Sequence, residues 1–256
     1  MIVVGVCRYV SQTPIVKMLK VNLTNERGAA MAYFPLFINI ENKHCLVAGG
    51  GRVAMRKAQI LLDFGAQVLI IAPVILNEIK QIKEITVMER DFMPEDVKDK
   101  ILVVAATDDT ECNHQIAELC KKQGILVNVV DQIEDCSFIF PAYVKQKDVV
   151  AAFSSSGKSP VLTQYLKARE EEILTRQVGN INELLGSLRG SVKQLFDTVE
   201  ERKCFYQEIL RLGLEKECIP TEREAEELIK KYQVSKVVYR KEGEEENGSY
   251  KAVKEQ

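Results

Sequence analysis

Cys45-Leu46-Val47-Ala48 is an uninterrupted apolar run that passes directly into Gly49-Gly50-Gly51, and an amphipathic stretch begins at once behind it. Few folds accept that order. The run reads as a buried strand, and the stretch from about Val53 to Phe64 reads as a helix with Ala54, Ala58 and Leu61 on one face and Gly65 as its stop. Gly49-Gly50-Gly51-Arg52-Val53-Ala54 matches G-x-G-x-x-A between them. Gly49 permits the tight turn, Gly51 lets a pyrophosphate approach bare backbone, and Ala54 allows close packing of helix on strand. The helix start then offers unpaired N–H groups to phosphates. A glycine turn alone would not establish a dinucleotide site; its context has to agree.

The context agrees along the next eighty residues. Apolar strands are expected at Val68–Ile71, Ile85–Met88, Ile101–Ala105 and Ile125–Val130, with helices near Ile75–Ile82 and Asn113–Gln123 between them. Continuous apolar strands separated by helices predict a parallel sheet covered on both faces, a Rossmann-type α/β domain. One feature departs from the usual pattern. The second strand ends in Ile71-Ala72-Pro73-Val74, without the carboxylate that ordinarily holds the ribose hydroxyls. The ribose is then left to backbone groups near Pro73 and Val74, while Arg52 and Lys57 lie close enough to the turn to accept a 2′-phosphate. NAD and NADP both stay open on the residues alone.

Two residues at strand ends carry candidate chemistry. Asp131 closes the fifth strand, at the carboxyl edge where ligands of doubly wound sheets sit; on position alone a turn aspartate is the simpler account. Thr107 closes the fourth strand, where it caps the following helix jointly with Asp108 or Asp109. His114 lies on that helix and reads as a solvated or packing residue.

Composition removes other classes. A net charge of -2 over 256 residues gives no basic face for nucleic acid. The seven cysteines form no CxxC pair; with neighbours such as those of Cys45, Cys120 and Cys204 they fit reduced, buried thiols. With two histidines in the chain, no metal site is expected. Met1–Cys7 is apolar but too short for a membrane span and lacks the flanks of a signal peptide. The expectation is a cytoplasmic chain without a membrane segment, with residues 1–30 a disordered extension ahead of Met31.

Beyond Asp131 the texture changes. Asp148–Phe153 reads as a strand, and Ser159-Pro160 starts a helix that runs to about Leu174. Ile181, Leu184, Leu188, Val192 and Leu195 recur at spacings of three and four on one further helix. Another is expected from Thr221 to Tyr232, capped by Thr221 and Glu224. After Tyr239 the chain is mostly Lys, Glu and Gly and is expected to be disordered. The expected architecture is an NAD-binding Rossmann domain over 31–141, a small strand-containing region over 142–174, a helical domain over 175–234 and a tail over 235–256.

Phe34-Pro35-Leu36-Phe37, Cys45 to Gly51, Ala105-Ala106-Thr107-Asp108-Asp109, Asn128-Val129-Val130-Asp131, Ser137 to Pro141 and Ser154 to Pro160 together resemble the precorrin-2 dehydrogenase module of siroheme synthases. The resemblance covers about Met31 to Tyr206. It implies NAD-dependent oxidation of precorrin-2 to sirohydrochlorin, and in some members insertion of ferrous iron as a second substrate. It gives Asp131 the role of general base and Thr107 a contact with the cofactor. It further implies a homodimer in which strands and helices after Phe138 complete the site across the subunits, so that 142–174 becomes a dimerisation region. Ser155 matches a serine near the tetrapyrrole that is phosphorylated in some relatives. Lys145, Lys147 and Lys158 are candidates to meet the substrate's eight carboxylates, and Ser155 and Lys158 are the substrate-binding residues expected. No counterpart of the methyltransferase domain fused in some relatives is expected in the roughly fifty residues after Tyr206. A more distant alternative is a regulatory NAD-sensing module, which would account for Gly49 to Ala54 but not for Asp131 and the Ser154–Pro160 segment.

Overall fold

The computed structural model describes residues 33–215, 220–221 and 223–230. The expectations for residues 1–30 and 235–256 lie outside them. The chain divides into two compact units, 1–36 and 37–256. In the first, residues 33–36 carry no regular secondary structure.

The second unit begins with five parallel strands. β1 (His44–Ala48), α1 (Arg52–Asp63), β2 (Gln67–Ala72), α2 (Asn77–Lys80), β3 (Ile85–Glu89), β4 (Leu102–Ala105), α3 (Thr110–Gln123) and β5 (Leu126–Val129) follow one another. The strands lie in the order β3-β2-β1-β4-β5. This is the sheet the apolar runs predict, and alternation within each strand explains why the runs are continuous. Cys45 and Val47 pack under α1 with Ala54, Ala58 and Leu61. Leu46 and Ala48 point the other way, against Ile116, Ala117 and Cys120 of α3. Both faces of the central strands are covered, so no buried strand position can be polar without a partner. Asn128, in the middle of β5, is the buried exception. Its amide donates to the Phe138 carbonyl at 3.1 Å.

β1 lies between β2 and β4, so the chain changes direction across the sheet there, and a crevice opens at the carboxyl ends. Gly49 N–H donates to the Ile71 carbonyl on one side of it. On the other side, Ala106 N–H donates to the Ala48 carbonyl. The glycine turn is thus stitched to both neighbouring strand ends.

After β5 come a short 3-10 turn at Ile133–Asp135 and an antiparallel pair, β6 (Ala142–Gln146) with β7 (Val149–Phe153). α4 (Pro160–Ile173) follows, with the Ser159 hydroxyl accepting from Leu162 N–H as its cap. The single helix expected through Leu195 is instead two, α5 (Arg176–Ser187) and α6 (Arg189–Leu195). The join falls at Leu188, inside Gly186-Ser187-Leu188-Arg189-Gly190-Ser191, where glycine and serine weaken the helix. α7 (Val199–Glu215) was not anticipated. It buries Phe205 and Ile209 against Val192, Phe196, Ala225 and Leu228, the last two from a helix over 223–230. Thr221 and Glu224 make the reciprocal cap expected of them.

Candidate functional site

The glycine turn is shaped by what surrounds it. Gly49 has φ +129°, and a Cβ there would lie 2.1 Å from the Ala106 carbonyl oxygen. A Cβ on Gly50 would lie 2.1 Å from the Val74 oxygen. Gly51 is different: a Cβ would meet no protein atom within 4 Å. Nothing in the fold around Gly51 requires glycine for space, which leaves bare backbone facing open volume at the start of α1. No side chain caps that helix, and its first turn holds no acidic residue. Its free N–H groups therefore present partial positive charge to the crevice. Those features suit a pyrophosphate, so the residues present fit a dinucleotide.

The other cofactor candidates gather around the turn. Val74 touches the Gly50 position, while Ala106 and Thr107 touch that of Gly49. Val53 and Val74 stay exposed despite being apolar. Thr107 is fixed rather than free. Its hydroxyl donates to the Asn113 side-chain oxygen at 2.7 Å, and the Asn113 amide donates back to the Thr107 carbonyl at 3.0 Å. The cap of α3 is Asp109 alone, accepting from Glu111 and Cys112 N–H. Asn113 is almost fully buried, and its role as a clamp was missed in the sequence.

Beside the crevice lies a cavity of about 1400 Å³. Val53 and Lys57 of α1, Asp131, Phe140 and Ser155 are among its walls, and α4 closes one side through Thr163 and Lys167. Asp131 is exposed at φ +62°, a conformation that aspartate tolerates better than most residues. Of the substrate candidates, Ser155, Lys145 and Lys147 line the cavity and Lys158 does not. The Ser155 hydroxyl accepts from Ser159 N–H at 2.9 Å, so it braces the turn into α4.

The segment after Asp131 is anchored from α3. Asp135 is buried, takes His114 Nδ1 at 2.7 Å and accepts from Lys121 at 3.1 Å. The hydrogen bond to Asp135 holds the imidazole pKa above its ordinary value, and the same bond holds the carboxyl below its own. Cys136 then bonds the β5 end: Val129 N–H donates to its sulfur at 3.2 Å. On the opposite side, the Tyr143 hydroxyl donates to Asp63 at 2.7 Å and ties β6 to the end of α1. Burial, then Asp63, pushes the Tyr143 pKa well above the usual range.

Lys57 stands apart. Burial first, then neighbouring Arg56, lowers its pKa to about 8. Cys45 and Cys120 are buried as expected, with thiols pushed up to about 11, but Cys204 is exposed on α7. Among the described residues no cluster of three or more His, Cys, Asp or Glu is arranged to hold a metal, and no helix is long and apolar enough to cross a membrane.

A parallel sheet with a glycine turn at its switch point, opening onto an unblocked helix start, defines an NAD(P)-binding protein of the Rossmann type. Known proteins agree. Residues 36–142 match a family described as putative NAD(P)-binding. The siroheme synthase of Ruthia magnifica is 39% identical over 180 residues, which is 69% of this chain and 38% of that protein. The siroheme synthase of Nitrosococcus oceani is 38% identical over 184 residues, 71% of this chain and 39% of that protein. The structure of a protein named SirC, precorrin-2 dehydrogenase, superposes with a TM-score of 0.60 at 22% identity, over 78% of this chain and 99% of that one, and so shares the fold. Over about seven tenths of its own length the chain is similar to siroheme synthases, and it spans about two fifths of the length of the curated relatives it matches.

Proposed function

We propose that this protein oxidises precorrin-2 to sirohydrochlorin with NAD, as a homodimer in which 31–141 form the Rossmann domain, 142–174 the dimerisation region and 175–234 the helical domain. The observation that carries the reading is the 1400 Å³ cavity, which has Asp131 in its wall and shares Val53 with the start of α1. It is larger than the sites of ordinary small ligands, as a tetrapyrrole requires. Bound NAD supplies the acceptor for the hydride removed from the substrate. Gly49, Gly51, Arg52 and Val53 would hold the dinucleotide's pyrophosphate at the α1 start, with Pro73 and Val74 toward its ribose and Thr107 on the other side of the turn. Oxidation also releases a proton, and the Asp131 carboxylate is the base that takes it. Ser155 meets the substrate from the cavity wall, and Lys158, three residues further along the same loop, reaches it from outside that wall.

An anaerobic assay with fresh precorrin-2 and NAD, following sirohydrochlorin and NADH together, tests the reading. Asp131→Asn is the informative variant, because asparagine keeps the left-handed backbone while losing the base. We expect turnover to fall by roughly 10²–10⁴-fold with NAD affinity retained. Coupled products absent from wild-type protein that still binds NAD would overturn the enzyme and favour a sensing module. Ferrous iron added to the same assay reads out any insertion above the spontaneous rate.

A further inference from the structure

The cavity's lysines are not equivalent. Lys145 donates to the Asp63 carbonyl, Lys147 pairs with Glu183, and Lys167 lies 3.6 Å from Glu171. Lys57 has none of this. Among the described residues its ammonium has no hydrogen bond and no carboxylate within ion-pairing distance. Its neighbour is the Phe140 ring, 4.0 Å from the amine to the centroid. Arg56, adjacent on α1 and also in the cavity wall, is likewise without a carboxylate partner there. A half-buried ammonium held by a ring face and crowded by a second cation is an expensive arrangement unless an anion completes it.

The direction in which Lys57 faces decides which anion. It follows Val53 by one helical turn and lines the cavity together with Phe140, whose ring its ammonium faces. The end of β2, where Pro73 and Val74 would meet a ribose, is no part of that cavity. A 2′-phosphate belongs at that end. We infer that Lys57, with Arg56 beside it, is the anion anchor of the cavity, its ammonium binding a peripheral carboxylate of a polycarboxylate tetrapyrrole. The inference rests on the function proposed above.

Burial and Arg56 lower the Lys57 pKa to about 8, so charge and affinity are linked. Arg56 from its own helix opposes the ammonium, and the Cys136 thiolate, on the segment after the 3-10 turn, would favour it. Asp131 from the end of β5, Glu134, Lys145 of β6 and Lys167 of α4 line the same space. Binding of a carboxylate should be strongest with Lys57 protonated, and should weaken as pH rises through about 8.

Titration of the protein with uroporphyrin, a stable octacarboxylate tetrapyrrole, by fluorescence across pH 6.5 to 9.5 tests this. We expect Lys57→Gln to lose about tenfold or more in affinity and to flatten the alkaline fall, and Lys57→Arg to keep the affinity and also flatten it. With precorrin-2, Lys57→Gln should raise KM and leave kcat nearly unchanged. Its melting temperature and NAD affinity report that it is folded. Equal affinity and equal pH dependence in Lys57→Gln and wild type would overturn the inference while leaving the proposed function standing. Loss of NADP binding alone would assign Lys57 to a 2′-phosphate and overturn it too. Wild-type protein that ignores uroporphyrin would remove the tetrapyrrole reading of the cavity, and the inference with it.

Discussion

At the scale of the residue, the two outer glycines of the turn do separable work. Gly49 sits at a φ that side chains avoid, with the Ala106 oxygen where a Cβ would go. Gly49→Ala should therefore cost about 2 kcal/mol or more in stability and disturb nucleotide binding as a consequence. Gly51 has an ordinary negative φ and open space around it. Gly51→Ala should leave the melting temperature within a degree or two of wild type, yet weaken NAD binding, because the methyl group occupies volume meant for phosphate. Calorimetric melting beside an NAD titration checks both; a Gly51→Ala protein that binds NAD normally would disprove the phosphate role. The motif showed in the sequence that glycines were needed here. It did not show which one serves the fold, since that depends on Ala106, fifty-seven residues away. Lys57 was hidden for the same reason. Its spacing from the turn allows it to serve a phosphate or a cavity, and the Phe140 segment, packed from eighty-three residues further on, decides between them.

Among elements, β1, β2, β4 and β5 were legible because burial on both faces leaves a nearly unbroken apolar run, a signal that survives without knowing any partner, while the edge strand β3 showed itself by Ile85, Val87 and Met88 although most of it is exposed. The helices after Leu174 were less so. A leucine spacing of three and four continues unbroken across Leu188, while the backbone stops there. His114 is exposed, in keeping with its reading as a solvated or packing residue, but its bond to Asp135, twenty-one positions later, is not legible in the sequence. That pair gives the short turn after Asp131 a pH dependence of known sign. The imidazole pKa is raised, so its contribution is complete below the ordinary histidine range and fades as pH rises through the raised value. The Asp135 carboxyl is lowered, so its contribution persists down to acid and is lost as pH falls through that lowered value. In an NMR titration His114 should titrate above about 6.5, and Asp135→Asn should bring it back down. His114→Gln should lower the melting temperature at about pH 6 and approach wild type on the alkaline side. Lys121 continues to hold Asp135 there. A His114 that titrates unchanged in Asp135→Asn would remove this account of how the turn is held.

At the scale of the whole molecule, the two sides of α4 make incompatible demands on a lone subunit. One side closes the cavity through Thr163 and Lys167. The other carries Val161, Leu162, Tyr165, Leu166 and Ile173, exposed at 81%, 50%, 60%, 38% and 67%. Side chains of this kind on one helix make a larger apolar patch than scattered surface residues do, and α4 falls inside the region proposed for dimerisation. A self-complementary pairing about a two-fold axis would cover the patch on both copies at once. It would also set the cavity wall and the interface back to back on a single helix, so that losing the dimer loosens the site. Val161→Glu with Tyr165→Glu places two like charges in each facing patch and should shift the protein from dimer to monomer in light scattering at micromolar concentration. Neither residue lines the cavity or contributes to the buried core, so the monomer should still melt cooperatively and bind NAD through the glycine turn. Its turnover of precorrin-2 should fall well below wild type, and the loss should shrink as protein concentration is raised. A double variant that remains dimeric would place the interface elsewhere, and a monomer with full turnover would show that each subunit carries a complete site.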